Sequence, residues 1–425
     1  MCFCCKAIDL KKGLFMKEGK MKRFLQLICL SVGATVIYFV PIHLRSLFYV
    51  PMQEVFGYTN TQIGNLAGWY GIMTIVTYLP GGWLADKYSA RKLLAGSYIV
   101  TGLLTLVMAL YPPYEVALWI FILVGISSTL TFWASLLKLT RQFGKDKNQG
   151  KAFGSLEGGR GLAATIIFAA SSVLFTKIGN AWVGLRILIV VFGAVTILVA
   201  VMTLLVFDEK DADHQATNVF HGFLRSLRNP NTWLIAFIVM GIYTVHAISQ
   251  YIAPFATNAF GTSVLIGSLL SQSKQWVKPL AGIGGGILAD RFGVSKILLI
   301  GSVLLAASVG VFALIPGNSQ LFWLLVVNTV IIFLLLGLLR GLYFADLNEA
   351  GIEWHLTGTV IGFATTIGML GDVFVPFLAG RLLDHFPADK GYTYIFGMGV
   401  VSSCFAVIML LIFRKYNKQR IEDKE

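Results

Sequence analysis

The chain has 425 residues, of which 56% are hydrophobic and only 13% charged, and its mean hydropathy is +0.75. A soluble protein of two or three domains has no core able to absorb so much apolar surface, so composition indicates a polytopic membrane protein. The net charge of +13 would suggest a nucleic-acid partner in a soluble protein. Here it follows membrane topology, and no nucleic acid is expected.

Residues 1–21 are expected to form a cytoplasmic tail, and Met16 and Met21, each followed by basic residues, resemble start sites. Cys2, Cys4 and Cys5 lack a second ligand cluster, and Cys29 and Cys404 fall in apolar runs. The five cysteines therefore form neither a disulfide framework nor an expected metal site. No cleavable signal is evident. Apolar runs long enough to cross the hydrocarbon core as helix follow. In the first half they are Phe24 to Tyr49, Thr61 to Ala85, Leu93 to Tyr111, Val116 to Leu137, Ala152 to Phe175 and Trp182 to Phe207. In the second half they are Trp233 to Ala256, Val264 to Leu288, Ile297 to Ile315, Leu321 to Phe344, Leu356 to Leu382 and Tyr392 to Phe413.

These twelve spans predict an all-α membrane protein built as two pseudo-symmetric six-helix halves. The N-terminal bundle is placed at 22–207 and the C-terminal bundle at 232–414. A polar cytoplasmic linker occupies 208–231, with Leu224, Arg225, Leu227 and Arg228 able to form a short interfacial helix, and a cytoplasmic tail occupies 415–425. With both ends in the cytoplasm, 25 of the 34 Lys and Arg residues fall on that side. The opposite face holds Lys177, Arg186, Arg381 and Lys390. The positive-inside rule thus predicts cytoplasmic termini in a cell (inner) membrane.

Two stretches repeat each other 204 positions apart: Gly82-Trp-Leu-Ala-Asp86-Lys87, with Arg91 and Lys92 following, and Gly286-Ile-Leu-Ala-Asp290-Arg291, with Gly293 and Lys296 following. Each joins the second apolar run of its half to the third, which is the signature of parallel membrane repeats. The glycines permit close helix approach, while the aspartate can pair with nearby cations and with a helix N-terminus. A charged clamp of this kind locks one face and releases it on rocking. A purely structural role in the loops is the alternative.

The pattern resembles the hallmark loop of the major facilitator superfamily. In the first copy Ser89 stands at the usual glycine and Ala90 at a usual basic position, which makes the two clamps unequal.

Five basic residues fall inside spans: Arg45, Arg160, Lys274, Lys278 and Arg340. A charge at membrane depth costs several kcal/mol, so it faces a cavity or a partner. Glu157 and Arg160 lie three residues apart on one helical face. Lys274 and Lys278 lie one turn apart, about 15 to 21 Å before Leu288 at 1.5 Å per residue, near mid-membrane. Cations gathered at one depth repel one another unless an anion joins them, which points to an anionic solute. Arg340 is read either as part of this set or as paired with Asp346 or Glu349 near the helix end. Lys278 has a snorkelling alternative. Asp372 and Glu157 are candidates for proton coupling or charge pairing. Tyr38, Tyr70, Trp133, Tyr251 and Trp276 are candidates to line a sugar-like body, with helix packing as the alternative.

Span 1, with Leu44-Arg45-Ser-Leu-Phe48 followed by Pro51, is similar to span 1 of the organophosphate:phosphate antiporters, the sugar-phosphate permease group. That resemblance implies that Arg45 binds a phosphate. It also sets His246, eight residues before Pro254, against the family's second phosphate arginine, and Arg160 near a substrate-contacting histidine. A histidine in place of arginine removes a bidentate donor.

The resulting reading is a secondary active transporter of a small organic anion, such as a sugar phosphate or sugar acid, working by alternating access. Its substrate residues are Arg45, Arg160, His246, Lys274, Lys278, Tyr38, Tyr251 and Trp276. The carrier is expected to be a monomer in the lipid bilayer, coupled to a proton or a counter-anion, with no cofactor and no enzymatic activity. A membrane sensor of an anionic metabolite and a drug or neutral-solute exporter are the alternatives.

Overall fold

The computed structural model describes residues 21–144, 149–208, 228–315, 317–344, 350 and 357–422. The N-terminal cysteine cluster, Met16, the linker segment with Leu224, Arg225 and Leu227, Asp346, Glu349 and the Asp86 side chain lie outside the described residues. Every regular element described is helical. The described residues form twelve helical segments: α1 (residues 21–56), α2 (Asn60–Lys87), α3 (Ala90–Met108), α4 (residues 114–144), α5 (Gln149–Ile178), α6 (Ala181–Val206), α7 (Pro230–Phe260), α8 (Val264–Phe292), α9 (Val294–Leu314), α10 (Phe322–Leu342), α11 (residues 357–385) and α12 (Ala388–Glu422). Nine of them are long and apolar enough to cross a membrane by themselves, the bent α1 makes a tenth, and α2 and α8 are the more polar pair.

Helix ends follow local chemistry. Thr59 and Gln62 form a reciprocal capping box at the start of α2, Asn180 caps α6, Ser263 caps α8, and Asn229 precedes Pro230 at the first position of α7. Because α2 and α3 are joined by Tyr88 and Ser89 alone, the stretch from Gly82 to Lys87 is helix and not loop. Arg91 and Lys92 already belong to α3. In the second copy a single residue, Gly293 at φ +88°, makes the turn between α8 and α9, a conformation that favours glycine. Helix α12 continues through 415–422 without a break at residue 414.

Span α1 is longer than its apolar run suggests, and it is interrupted. A helix over Met21–Val36 meets a second one, Phe39–Leu47, at an angle of 43°; the second begins with a π-helical stretch, Phe39–Leu44, and a further break falls at Phe48. Pro41 and Pro51 remove N–H donors that a continuous helix needs. Helix α7 is interrupted at the equivalent place by a 3₁₀ turn, Ser249–Tyr251, three residues before Pro254. In this duplicated fold the breaks thus occupy corresponding positions in the two halves, a recurrent feature of transporter sites.

An even number of spans puts both termini on one face, called here the terminal face. At the other face the halves are drawn together, chiefly by α2 against α11. A Cβ on Gly64 would stand 2.2 Å from the Pro376 carbonyl oxygen, and one on Gly380 would stand 2.4 Å from that of Asn60, so only glycine permits this approach. The Asp384 carboxylate completes the closure. Its Oδ1 accepts from the Asn60 backbone N–H at 3.0 Å and Nδ2 at 2.8 Å, and its Oδ2 accepts from the Thr61 N–H at 2.7 Å. Toward the terminal face the packing loosens: Gly82, Gly154, Gly158, Gly282 and Gly286 each have no atom within 4 Å of a built Cβ.

Candidate functional site

Arg45 follows the π-helical stretch of α1 and is 5% exposed. Its Nη1 donates to the Tyr251 hydroxyl at 3.0 Å and its Nη2 to Gln250 Oε1 at 2.8 Å, both in the interrupted part of α7 in the other half. The guanidinium carbon lies 5.3 Å from the Tyr251 ring centroid. Its Nε is buried without a hydrogen-bond partner. Direct acceptors of this charge are therefore neutral, although a buried arginine normally has an anion against it.

Arg160 on α5 binds Glu157 Oε1 at 2.6 Å, so the three-residue spacing does bring this pair together. The other carboxylate oxygen of Glu157 is 3.1 Å from Lys278 Nζ on α8, which joins the halves by an ion pair. The Arg160 guanidinium also stands 5.5 Å over the Trp133 ring. Tyr38 packs edge-on to Phe132 at 5.7 Å and lies within electrostatic reach of Arg160. His43 packs at 4.2 Å and a 45° tilt against Phe168 and lies within electrostatic reach of Lys274 and Arg160.

In the C-terminal half, His246 Nε2 is 3.1 Å from Arg340 Nη1. Arginine only donates, so Nε2 must be the acceptor and the imidazole proton sits on Nδ1. Arg340 lies 5.1 Å over the Tyr243 ring, and Tyr243 lies within electrostatic reach of Asp372. Asp372 faces Arg340, Arg45 and Lys274 from α11. Lys274 has Arg340, Asp372 and Arg45 as charged neighbours. Arg340 of α10 is thus brought against His246 of α7. Arg340 is a member of the central set, held by His246 and Tyr243.

These groups form one girdle of five cations against two carboxylates, Glu157 and Asp372, spanning both halves. Trp276 is elsewhere. It is 47% exposed and shares a helical face with Leu280, Ile283 and Ile287, which are 64% to 69% exposed, and this apolar stripe suits lipid. Among the described residues no three His, Cys, Asp or Glu side chains gather in a way that could hold a metal ion.

The repeated motif has a split environment. Arg91 donates from Nη2 to the Leu204 carbonyl, tying α3 to the end of α6, and Lys87 stands 5.1 Å over the Trp83 ring. In the second copy Asp290, Arg291 and Lys296 are exposed, and Arg291 lies over Phe292. The Asp290 carboxylate forms no ion pair with another described residue. Lys138, from α4, donates to the Ala85 carbonyl at 2.8 Å and was not foreseen from sequence, nor were Gln250, His43, Tyr243 or Asp384. The corresponding helix-interrupting prolines were the available signal for Gln250, which lies four residues before Pro254.

Comparison with known proteins places this geometry in context. The chain is 29% identical to the inner membrane protein YqcE of Escherichia coli over 423 residues, covering 96% of this chain and 98% of that one. It is 28% identical to the inner membrane protein YihN of the same organism, covering 92% and 96%. Against a probable nitrate/nitrite antiporter, NarK1, of Thermus thermophilus it is 24% identical, covering 83% and 84%. The fold matches a crystal structure of a point mutant of the nucleoside transporter NupG with a TM-score of 0.74 at 15% identity, covering 92% of this chain and 98% of that one. The family model described as Major Facilitator Superfamily matches residues 27–349, and the chain belongs to that superfamily of membrane transporters.

Proposed function

We propose that the protein is a secondary transporter of a small organic anion, such as a sugar phosphate or sugar acid, moved by alternating access between the two halves. The observation that carries this reading is Arg45: a buried guanidinium whose direct acceptors are neutral, set between the halves in a girdle whose cations outnumber its carboxylates. An anion entering there replaces neutral acceptors with a charged one, and charge-assisted bonds are about twice as strong. Arg45, Lys274 and Arg340, with Arg160 and Lys278, form the proposed anion-binding set. His246 orients Arg340, and Tyr38 and Tyr251 border the site. The termini are assigned to the cytoplasm on the distribution of Lys and Arg, and the carrier is taken to act as a monomer. Glu157 and Asp372 are the groups available to a coupled proton if the carrier is a symporter.

A neutral-solute exporter has no use for five cations at membrane depth. The test is thermal stabilisation of the purified protein by phosphorylated, carboxylated and sulfonated sugars beside their neutral parents, followed by uptake of the best ligand. Stabilisation by anions only, with uptake lost in Arg45→Lys and Arg160→Ala, supports the proposal. Stabilisation by neutral sugars alone, or unchanged uptake in both variants, overturns it.

A further inference from the structure

The corresponding interruptions of α1 and α7 bring three residues of opposite halves into one buried contact. Arg45 is 5%, Gln250 8% and Tyr251 1% exposed. Pro51 and Pro254, which help interrupt the two helices, line one crevice with Leu47 and Ala253. Through Arg45 the contact is itself part of the cationic girdle, and it ties that girdle to the interrupted part of α7.

We infer that Gln250 is a positioning residue that couples substrate binding to opening of the closed face: its amide holds the Arg45 fork until the substrate's anionic group takes that fork away. This rests on the reading of Arg45 as an anion-binding group. Three features support it. The Arg45 Nη2 to Gln250 Oε1 bond, at 2.8 Å, crosses between the halves, so any ligand that claims Nη2 removes an inter-half bond. The acceptors are an amide and a phenol, strong enough to park a buried guanidinium yet weaker than a charged oxyanion, so the exchange runs toward the substrate. A carboxylate at 250 would instead satisfy Arg45 permanently, whereas an apolar residue would leave the fork short of an acceptor and waiting for a ligand.

Gln250 therefore sets how easily the closed face lets go. Arg45 cannot both bind the substrate with its full fork and hold α7, so closure and occupancy compete for the same two nitrogens. A ligand shifts a conformational equilibrium only through such differential contacts.

The test uses full-length protein in nanodiscs, with its own cysteines replaced and spin labels at Glu115→Cys and Lys390→Cys, exposed positions of the two halves at the closed face. Distances are measured without ligand in the wild type, Gln250→Glu and Gln250→Leu. Binding of inorganic phosphate and of glucose 6-phosphate is read in parallel by thermal shift. The expected result is a narrower, short-distance population in Gln250→Glu, with anion affinity weakened at least about tenfold. Gln250→Leu should show a larger long-distance population, with affinity raised by about tenfold.

A wild-type distance distribution in both variants, with the anion response intact and dependent on Arg45, overturns the coupling role and leaves the anion reading standing. Opposite distance shifts in the two variants with no response to any anion uphold the latch and overturn the anion reading. A shift in the same direction in both variants marks Gln250 as merely structural and overturns the proposal.

Discussion

Replacing Asp384 with alanine is expected to loosen the closed face by an amount that the structure allows to be worked out. The carboxylate accepts three hydrogen bonds from the first residues of α2, two from backbone N–H groups and one from the Asn60 amide, at 2.7 to 3.0 Å. It serves as an N-terminal cap supplied by the opposite half. Loss of an N-cap costs about 1 kcal/mol, and a carboxylate at a helix N-terminus adds about 0.3 to 1 kcal/mol at an exposed site. Because these bonds are solvent-exposed, the sum is taken as about 1 to 1.5 kcal/mol, close to a tenfold fall in the closed-to-open ratio. Asp384→Asn keeps an acceptor and loses the charge, so it should give about half of that in free energy. The distance between labels at positions 115 and 390 reports the ratio directly. Asn60→Ala removes the side-chain donor, and in a double-mutant cycle the two changes should couple by about 0.5 kcal/mol or more. An unaltered distance distribution in Asp384→Ala, or strict additivity with Asn60→Ala, would refute the capping role.

Gly380→Leu and Gly64→Leu should prevent closure, since even a Cβ meets backbone oxygen at 2.4 and 2.2 Å. Uptake should be abolished with the long-distance population enlarged, while Gly286→Ala, with open space around it, should leave the distance distribution as in wild type. Arg340→Ala and His246→Ala should each reduce anion uptake at least about tenfold, with a double variant no worse than Arg340→Ala alone; His246→Gln, which retains an acceptor for Arg340, should recover most of the activity. Trp276→Ala should leave initial uptake rates within about twofold of wild type, because its ring lies on the lipid-suited stripe with Leu280 and Ile283.

The duplicated plan was legible because it rests on local signals: run length and the 204-residue repeat. The pairing of Glu157 with Arg160 was legible for the same reason, since a three-residue spacing on one helix determines proximity. Contacts between helices were not. Arg340 and His246 are 94 residues apart, and no periodicity indicates that α7 and α10 turn those residues toward each other. Trp276 is a candidate in sequence as an aromatic residue two positions from Lys274, yet two residues along a helix rotate a side chain by roughly 200°, and the residue is 47% exposed beside Leu280 and Ile283. Asp384 reads in sequence as an ordinary polar residue near a helix end, because its partner is the start of a helix more than 300 residues earlier.

Two guanidiniums of the proposed anion-binding set, Arg45 and Arg340, also differ in what a substrate must displace. Arg340 already has Tyr243 and His246 against it, and Asp372, which reaches both guanidiniums, acts more strongly on Arg340 than on Arg45, so a ligand at Arg340 competes more with that carboxylate. Arg45 offers Nη1 and Nη2 held by neutral groups, and an Nε with no partner. The net gain on exchanging a neutral acceptor for an anionic one is therefore larger at Arg45. In the proposed cycle the first bond from the substrate goes to α1. The second guanidinium, Arg340, then engages as the shared Asp372 carboxylate is neutralised or drawn aside. That order makes release of α7 by Arg45 the early event of the cycle, and rearrangement around Asp372 the later one.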